Sequence, residues 1–199
     1  MQKKLYRNLS KKTPTGENLE EKEKSGLKSQ ILDILEVLSV SIVALIIVFT
    51  FAFKTCVVYQ SSMYPTLVEN DKLVIKSLGN NYDYGDIIVT GKYSEREDRI
   101  VKRIIAKEGD VVDINNSEGA VYINGEKLEE DYVNGKTFSN VNGIKFPITV
   151  SENSLFILGD NREHSKDSRS LDIGIINEKE VVGTVVFRLF PLEKIGLVK

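Results

Sequence analysis

The sequence has little of what metal and disulfide chemistry need. Its 199 residues include one cysteine, Cys56, and one histidine, His164. A lone cysteine closes no internal disulfide. A zinc site built from His and Cys needs more ligands than the chain holds, so neither a metal nor another cofactor is expected. A Ser-His-Asp triad would have to use His164 and nothing else. A charge of one sign is also lacking: 27 Lys and Arg stand against 29 Asp and Glu, a formal net charge of -2. That balance gives no global electrostatic case for a nucleic-acid partner. The length suits one domain with appendages.

One long apolar run is present, and "FRLFPLEKIGLVK" near the C-terminus is too short and too charged for a second. Residues 1–30 are polar and mixed in charge, with no apolar periodicity. Such a segment buries too little surface to offset its ordering entropy, so a disordered tail is expected. From Val37 to Phe53 there is no charged residue. At 1.5 Å per residue that stretch is about 25 Å long, close to the hydrocarbon thickness of a bilayer. A cleavable secretory signal would need small residues before a cut, and "FKTCVVY" offers none. The expectation is a retained transmembrane helix over 31–53 in a lipid bilayer. Lys3, Lys4, Arg7, Lys11, Lys12, Lys22, Lys24 and Lys28 precede it, whereas only Lys54 follows at once. Basic residues near a span mark its cytoplasmic end. The reading is therefore a single-pass protein of the cytoplasmic membrane, with its N-terminus inside and residues 54–199 outside.

The outer portion reads as β. Runs such as "DKLVIKSL", "YGDIIVTGKY", "RIVKRIIAKEGDVVDI", "AVYINGEKL", "SLFILGDN" and "EVVGTVVFRLF" alternate with turn residues. Asn124-Gly125 is a strong two-residue hairpin signal. Between 128 and 148 the pattern weakens into a polar insert, expected as a peripheral lobe. The fold class is thus mainly β, with one N-terminal transmembrane helix before an all-β catalytic body.

Three stretches could carry chemistry. In "YQSSMYPTL", Ser62 precedes Met63 and the turn residue Pro65. A serine hydroxyl is a weak nucleophile until a base takes its proton. In "RIVKRII", two cations sit inside a β-branched run. Period-2 alternation puts Lys102 with Ile100 and Ile104, and Arg103 with Val101 and Ile105. The pattern does not say which face is buried. Arginine keeps its proton in a protein; a desolvated lysine can give it up and act as a base. The bland alternative is that Lys102 snorkels to water from an edge strand. In "LGDNREHSKDSRS", Asp160, Asn161, Glu163, Ser165, Asp167 and Arg169 could form a hydrogen-bonded scaffold. The spacing does not fit a helix-flanked calcium loop. His164, between Glu163 and Ser165, reads most simply as an exposed loop residue.

Together these stretches resemble those of the bacterial type I signal peptidases, membrane-anchored serine proteases that remove signal peptides from preproteins. "SSMYPTL" resembles the nucleophile box and implies Ser62 as nucleophile. "IVKRIIAKEGD" resembles the box with the general-base lysine and implies Lys102. "GDNREHSKDSR" resembles the supporting box: Ser165 would hydrogen-bond the lysine, and Asp167 with Arg169 would form an ion pair. "YGDIIV" also fits a family segment. Met63 and neighbouring apolar residues would line the substrate site. Some relatives place an oxyanion-hole serine two positions before the nucleophile, where this chain has Gln60. The hole would then rest on the Ser62 N–H, or on the Gln60 backbone or side-chain amide. The family's usual "GLPGD" is "AKEGD" here. The resemblance implies cleavage of signal peptides by a Ser-Lys dyad at the outer membrane face. A self-cleaving repressor with the same dyad would need a DNA-binding helical domain in place of the tail and span. A degenerate member acting as a membrane-tethered β-domain is the non-enzymatic alternative.

Overall fold

The structure is a computed structural model describing residues 16–79, 81–93, 98–140 and 143–198. The chain divides between Val48 and Phe49 into two compact units. The first is dominated by helix α1 (Gly16–Ala52), whose segment Gln30–Ala52 has a mean hydropathy of 2.7. That segment is long and apolar enough to cross a membrane, and its apolar window is not buried by protein, unlike the core helix of a soluble fold. Two boundaries differ from expectation. Residues 16–30, expected in the disordered tail, are helical; residues 1–15 lie outside the described part. Glu, Lys and Leu are good helix formers, and a helix already nucleated by the apolar run extends into them without a second nucleation cost. At the other end Phe53 belongs to the first strand and not to the helix.

The second unit is β. Its strands are β1 (Phe53–Val57), β2 (Lys72–Lys76), β3 (Ile87–Tyr93), β4 (Asp98–Lys107), β5 (Val111–Asn115) and β6 (Ala120–Ile123). They are followed by β7 (Glu126–Lys127), β8 (Ile148–Thr149), β9 (Ser154–Leu158), β10 (Ile176–Asn177), β11 (Val181–Phe190) and β12 (Gly196–Leu197). The larger sheet runs β1-β2-β11-β3-β4-β9-β10, with β12 on β11. The smaller runs β7-β6-β5-β8. Asn124 (φ 53) and Gly125 (φ 85) both take left-handed backbone at the β6–β7 turn, as the hairpin signal requires.

Strand β4 is central, between β3 and β9. This resolves the question left open by its alternating pattern: Lys102, Arg103, Ile104, Ile105 and Ala106 are all buried, so neither face is the solvent face. On β3, Ile87 and Val89 join one apolar cluster and Ile88 another, again showing cover on both sides. The insert after β7 is less peripheral than expected. Thr137 is buried, Asn134 bridges to Asn161, and the Tyr132 ring lies 4.0 Å from the Arg103 guanidinium carbon. Buried guanidinium groups need polar and π partners, and this segment supplies them.

Candidate active site

Ser62 stands in the loop that joins β1 to β2. The base of this loop is closed by Val58 N–H donating to the Asp71 carbonyl and Asn70 N–H to the Val58 carbonyl, both at 2.9 Å. At its tip, Tyr64 N–H donates to the Ser61 carbonyl and Leu67 N–H to the Met63 carbonyl, so the segment folds as a tight turn. The Tyr64-Pro65 peptide bond is cis. Asn161 grips the turn from another element: its side-chain amide donates to the Ser61 carbonyl and its N–H to the Ser62 carbonyl, both at 3.0 Å.

Lys102 comes from the middle of β4. Its Nζ lies 2.7 Å from Ser62 Oγ and 2.9 Å from the Val101 carbonyl oxygen. Burial pushes the Lys102 ammonium down to about 8 from 10.5, and Arg169 adds to this; the charges of Asp167 and Asp160 oppose it. A lysine in this state holds an appreciable neutral fraction near pH 7, which a snorkelling lysine does not.

The segment after β9 frames both residues. Arg169 Nε and Nη2 contact Asp167 at 2.8 and 2.9 Å, and the Gly159 N–H donates to Asp167 Oδ2 at 3.1 Å. Arg103 binds Asp160 with two bonds, at 2.9 and 2.7 Å, and donates to the Gly85 carbonyl at 2.7 Å. Thr66 Oγ1 donates to the same Asp160 carboxylate. Arg162 ties the insert to this frame through Glu130 and Thr137. The ion pair of Asp167 with Arg169 is thus found as expected.

Two expectations need correction. Ser165 does not bond the lysine: its Oγ is buried and has no hydrogen-bond partner. Gly159 explains its placement, because a Cβ there would stand 2.6 Å from Ser165 Cβ and closer still to Ser165 Oγ and the Ser62 carbonyl oxygen. Met63 lines no open pocket. It is 1% exposed and packs with Val58, Leu67, Leu73 and Ile75, so the apolar side chain next to Ser62 is an anchor in the core. The Gln60 side chain is exposed and makes no hydrogen bond among the described residues; its backbone is left-handed, at φ 71. His164 is exposed, as expected. Gly159, Thr66 and Tyr132 are contributors that the residue pattern did not single out. Among the described residues no group of three or more His, Cys, Asp or Glu side chains is arranged to hold a metal.

Over residues 31–190 the chain matches the family model described as signal peptidase, peptidase S26. It is 32% identical over 177 residues to signal peptidase I P of Bacillus subtilis subsp. natto, covering 84% of this chain and 94% of that one. It is 33% identical over 178 residues to signal peptidase I S of Bacillus subtilis (strain 168), with 84% and 93% covered. A crystal structure of a signal peptidase I from Enterococcus faecalis V583 aligns over 52% of this chain and 96% of that one, at 29% identity and a TM-score of 0.42. The family model and the two Bacillus relatives decide the assignment: this chain belongs to the signal peptidase family, peptidase S26.

Proposed function

We propose that Ser62 is the nucleophile and Lys102 the general base of a dyad that cuts signal peptides from preproteins. Membership of the family makes the chain a signal peptidase and a serine hydrolase. The observation that carries the residue assignment is the 2.7 Å contact between Ser62 Oγ and a buried Lys102 Nζ. In the proposed cycle, neutral Lys102 takes the Ser62 proton as Oγ attacks the carbonyl before the cleavage site. The resulting ammonium returns a proton to the leaving amine, and an acyl-enzyme remains. Lys102, neutral again, then takes a proton from water, whose hydroxyl attacks the ester carbonyl; the bond to Ser62 Oγ breaks, Oγ takes the proton back from the Lys102 ammonium, and the acid is freed.

The oxyanion formed in each half needs a fixed donor. The Ser62 N–H donates to no protein acceptor among the described residues, so it is available for this task. Gln60 is the second candidate, through its backbone or its exposed amide. One such donor contributes about 3 kcal/mol to the transition state in comparable sites. Substrate would bind extended, with alternate side chains facing pockets. The Asp167–Arg169 pair supports the site by holding the Gly159 amide, and Ser165 fills the space that Gly159 leaves open.

Helix α1 is read as the anchor, spanning a lipid bilayer through Gln30–Ala52. The excess of Lys and Arg before this span supports an orientation with the N-terminus in the cytoplasm and the β unit outside. The chemistry requires no metal. An inactive, membrane-tethered β-domain finds no support in the family match or in the Ser62–Lys102 contact. The test is processing of a preprotein by membranes carrying S62A or K102A. Loss of cleavage in both is expected; cleavage at the wild-type rate in either sinks the dyad.

A further inference from the structure

Arg188, on β11, is an inward-facing cation that the mechanism above does not use. Its side chain is 13% exposed, and its Nε lies 3.1 Å from Oδ2 of Asp71, which is fully buried; the two form an ion pair without a hydrogen bond at Nε. Strand alternation alone would turn Arg188 the other way. Gly183 and Val185 are buried, so an unbroken period of two would bring Phe187 to the inner face and send Arg188 out. The ladder with β2 breaks this rhythm: Val185 opposes Ile75, but Phe187 opposes Val74. Val186 is therefore an extra residue, a bulge. Beyond it Arg188 opposes Leu73, which is fully buried, and cross-strand partners share a face. The bulge turns an arginine inward, toward the loop that carries Ser62.

There the guanidinium reaches two points of that loop. Nη2 donates to the Thr66 carbonyl, and the Asp71 carboxylate that it faces also accepts from Val68 N–H at 3.1 Å. Thr66 is held on its other side by Asp160, whose partner Arg103 adjoins Lys102 in β4. Thr66 and Ser62 share one tight turn, through the Leu67-to-Met63 bond. A displacement of Thr66 is therefore passed to Ser62.

We propose that Arg188 is a positioning residue for the peptidase reaction: by clamping the Thr66 carbonyl and the Asp71 carboxylate together, it sets Ser62 at attacking distance from Lys102. This rests on the dyad reading above. Donating to the Thr66 carbonyl while keeping a cationic charge against Asp71 needs the breadth of a guanidinium, which lysine's compact ammonium lacks. The test uses the full chain in detergent micelles, with a preprotein substrate and an active-site-directed acylating reagent that counts competent sites. R188K keeps the charge opposite Asp71 and should melt near the wild-type temperature. Its kcat per titrated site should fall about tenfold to hundredfold, the effect of a misplacement on the ångström scale, with KM little changed. R188A should lose at least as much kcat and also stability. Full kcat per titrated site in R188K, or in folded R188A, would reduce Arg188 to a structural cation and overturn the proposal. A raised KM with kcat unchanged would overturn it too, by pointing to substrate contact. Absence of Ser62 acylation in the unsubstituted enzyme would overturn the dyad reading itself.

Discussion

Gly159 and Ser165 share a space that admits only one side chain. A Cβ on Gly159 would fall 2.6 Å from Ser165 Cβ, and nearer still to the Ser62 carbonyl oxygen. Neither neighbour is free to yield. The Ser165 carbonyl accepts from Arg169 Nη2 at 3.3 Å, and the Ser62 carbonyl is held by Asn161. Gly159→Ala should therefore destabilise the fold by about 1–3 kcal/mol, the usual effect of overpacking. It should lower kcat more than KM, because the displaced atoms lie behind the nucleophile. Thermal melting beside steady-state kinetics checks both.

The proton balance of Lys102 predicts a pH profile. The base must be neutral, and burial holds its pKa at about 8. The kcat/KM value should rise with pH and level off above about 8, following one deprotonation. Since His164 is exposed and away from the dyad's hydrogen bonds, H164A should leave this limb in place. A limb that disappears with H164A would transfer the base role to histidine.

The same shift has a stability consequence. The folded pKa lies below the unfolded value of 10.5. Between about pH 8 and 10.5 the unfolded chain binds more protons, so stability should rise with pH across that window. Below pH 8 the cost of burying the ammonium is present in full. Lys102→Met, which keeps volume and removes the charge, should stabilise the protein at pH 7 by up to about 3 kcal/mol while abolishing cleavage. Denaturant titrations at pH 7 and pH 10 test the sign.

Asp160 serves two partners at once, Arg103 and Thr66. Asp160→Asn leaves a buried guanidinium without its counter-charge, a loss of about 3–5 kcal/mol. Unfolding should be evident by circular dichroism well below the wild-type melting temperature.

Met63→Ala distinguishes an anchor from a pocket wall. A buried Met cut to Ala costs about 2–5 kcal/mol through the cavity it leaves. Melting temperature should fall, while relative kcat/KM for substrates with different residues before the cut should stay as in the wild type. A changed preference among those substrates would return Met63 to the substrate site.

The pairing of Ser62 with Lys102 was legible because the signals for both residues are local. A lysine inside "RIVKRII" is unusual, and a serine before Met-Tyr-Pro sits in a constrained turn. The strands were legible from alternation, and the β6–β7 hairpin from Asn124-Gly125. What escaped depends on the third dimension. Burial of both Lys102 and Arg103 follows from β4 having neighbours on both edges and cover on both faces, which alternation within one strand does not encode. The unpartnered Ser165 hydroxyl depends on a glycine six residues earlier, and the inward turn of Arg188 on one extra residue in a ladder. The helical segment 16–30 reads as polar tail by composition and becomes helix only as a continuation of the apolar run.

The order of strands in the larger sheet separates the two halves of the proposed dyad. The β1–β2 hairpin carries Ser62, the β3–β4 pair carries Lys102, and the ladder joins them only through β11. In chain order Ser62 and Lys102 both come long before the strand that unites their hairpins. Until residues 181–190 slot between β2 and β3, the two hairpins have no common ladder. The ladder that brings the Ser62 loop and the Lys102 strand into one sheet is thus completed by nearly the last strand in chain order.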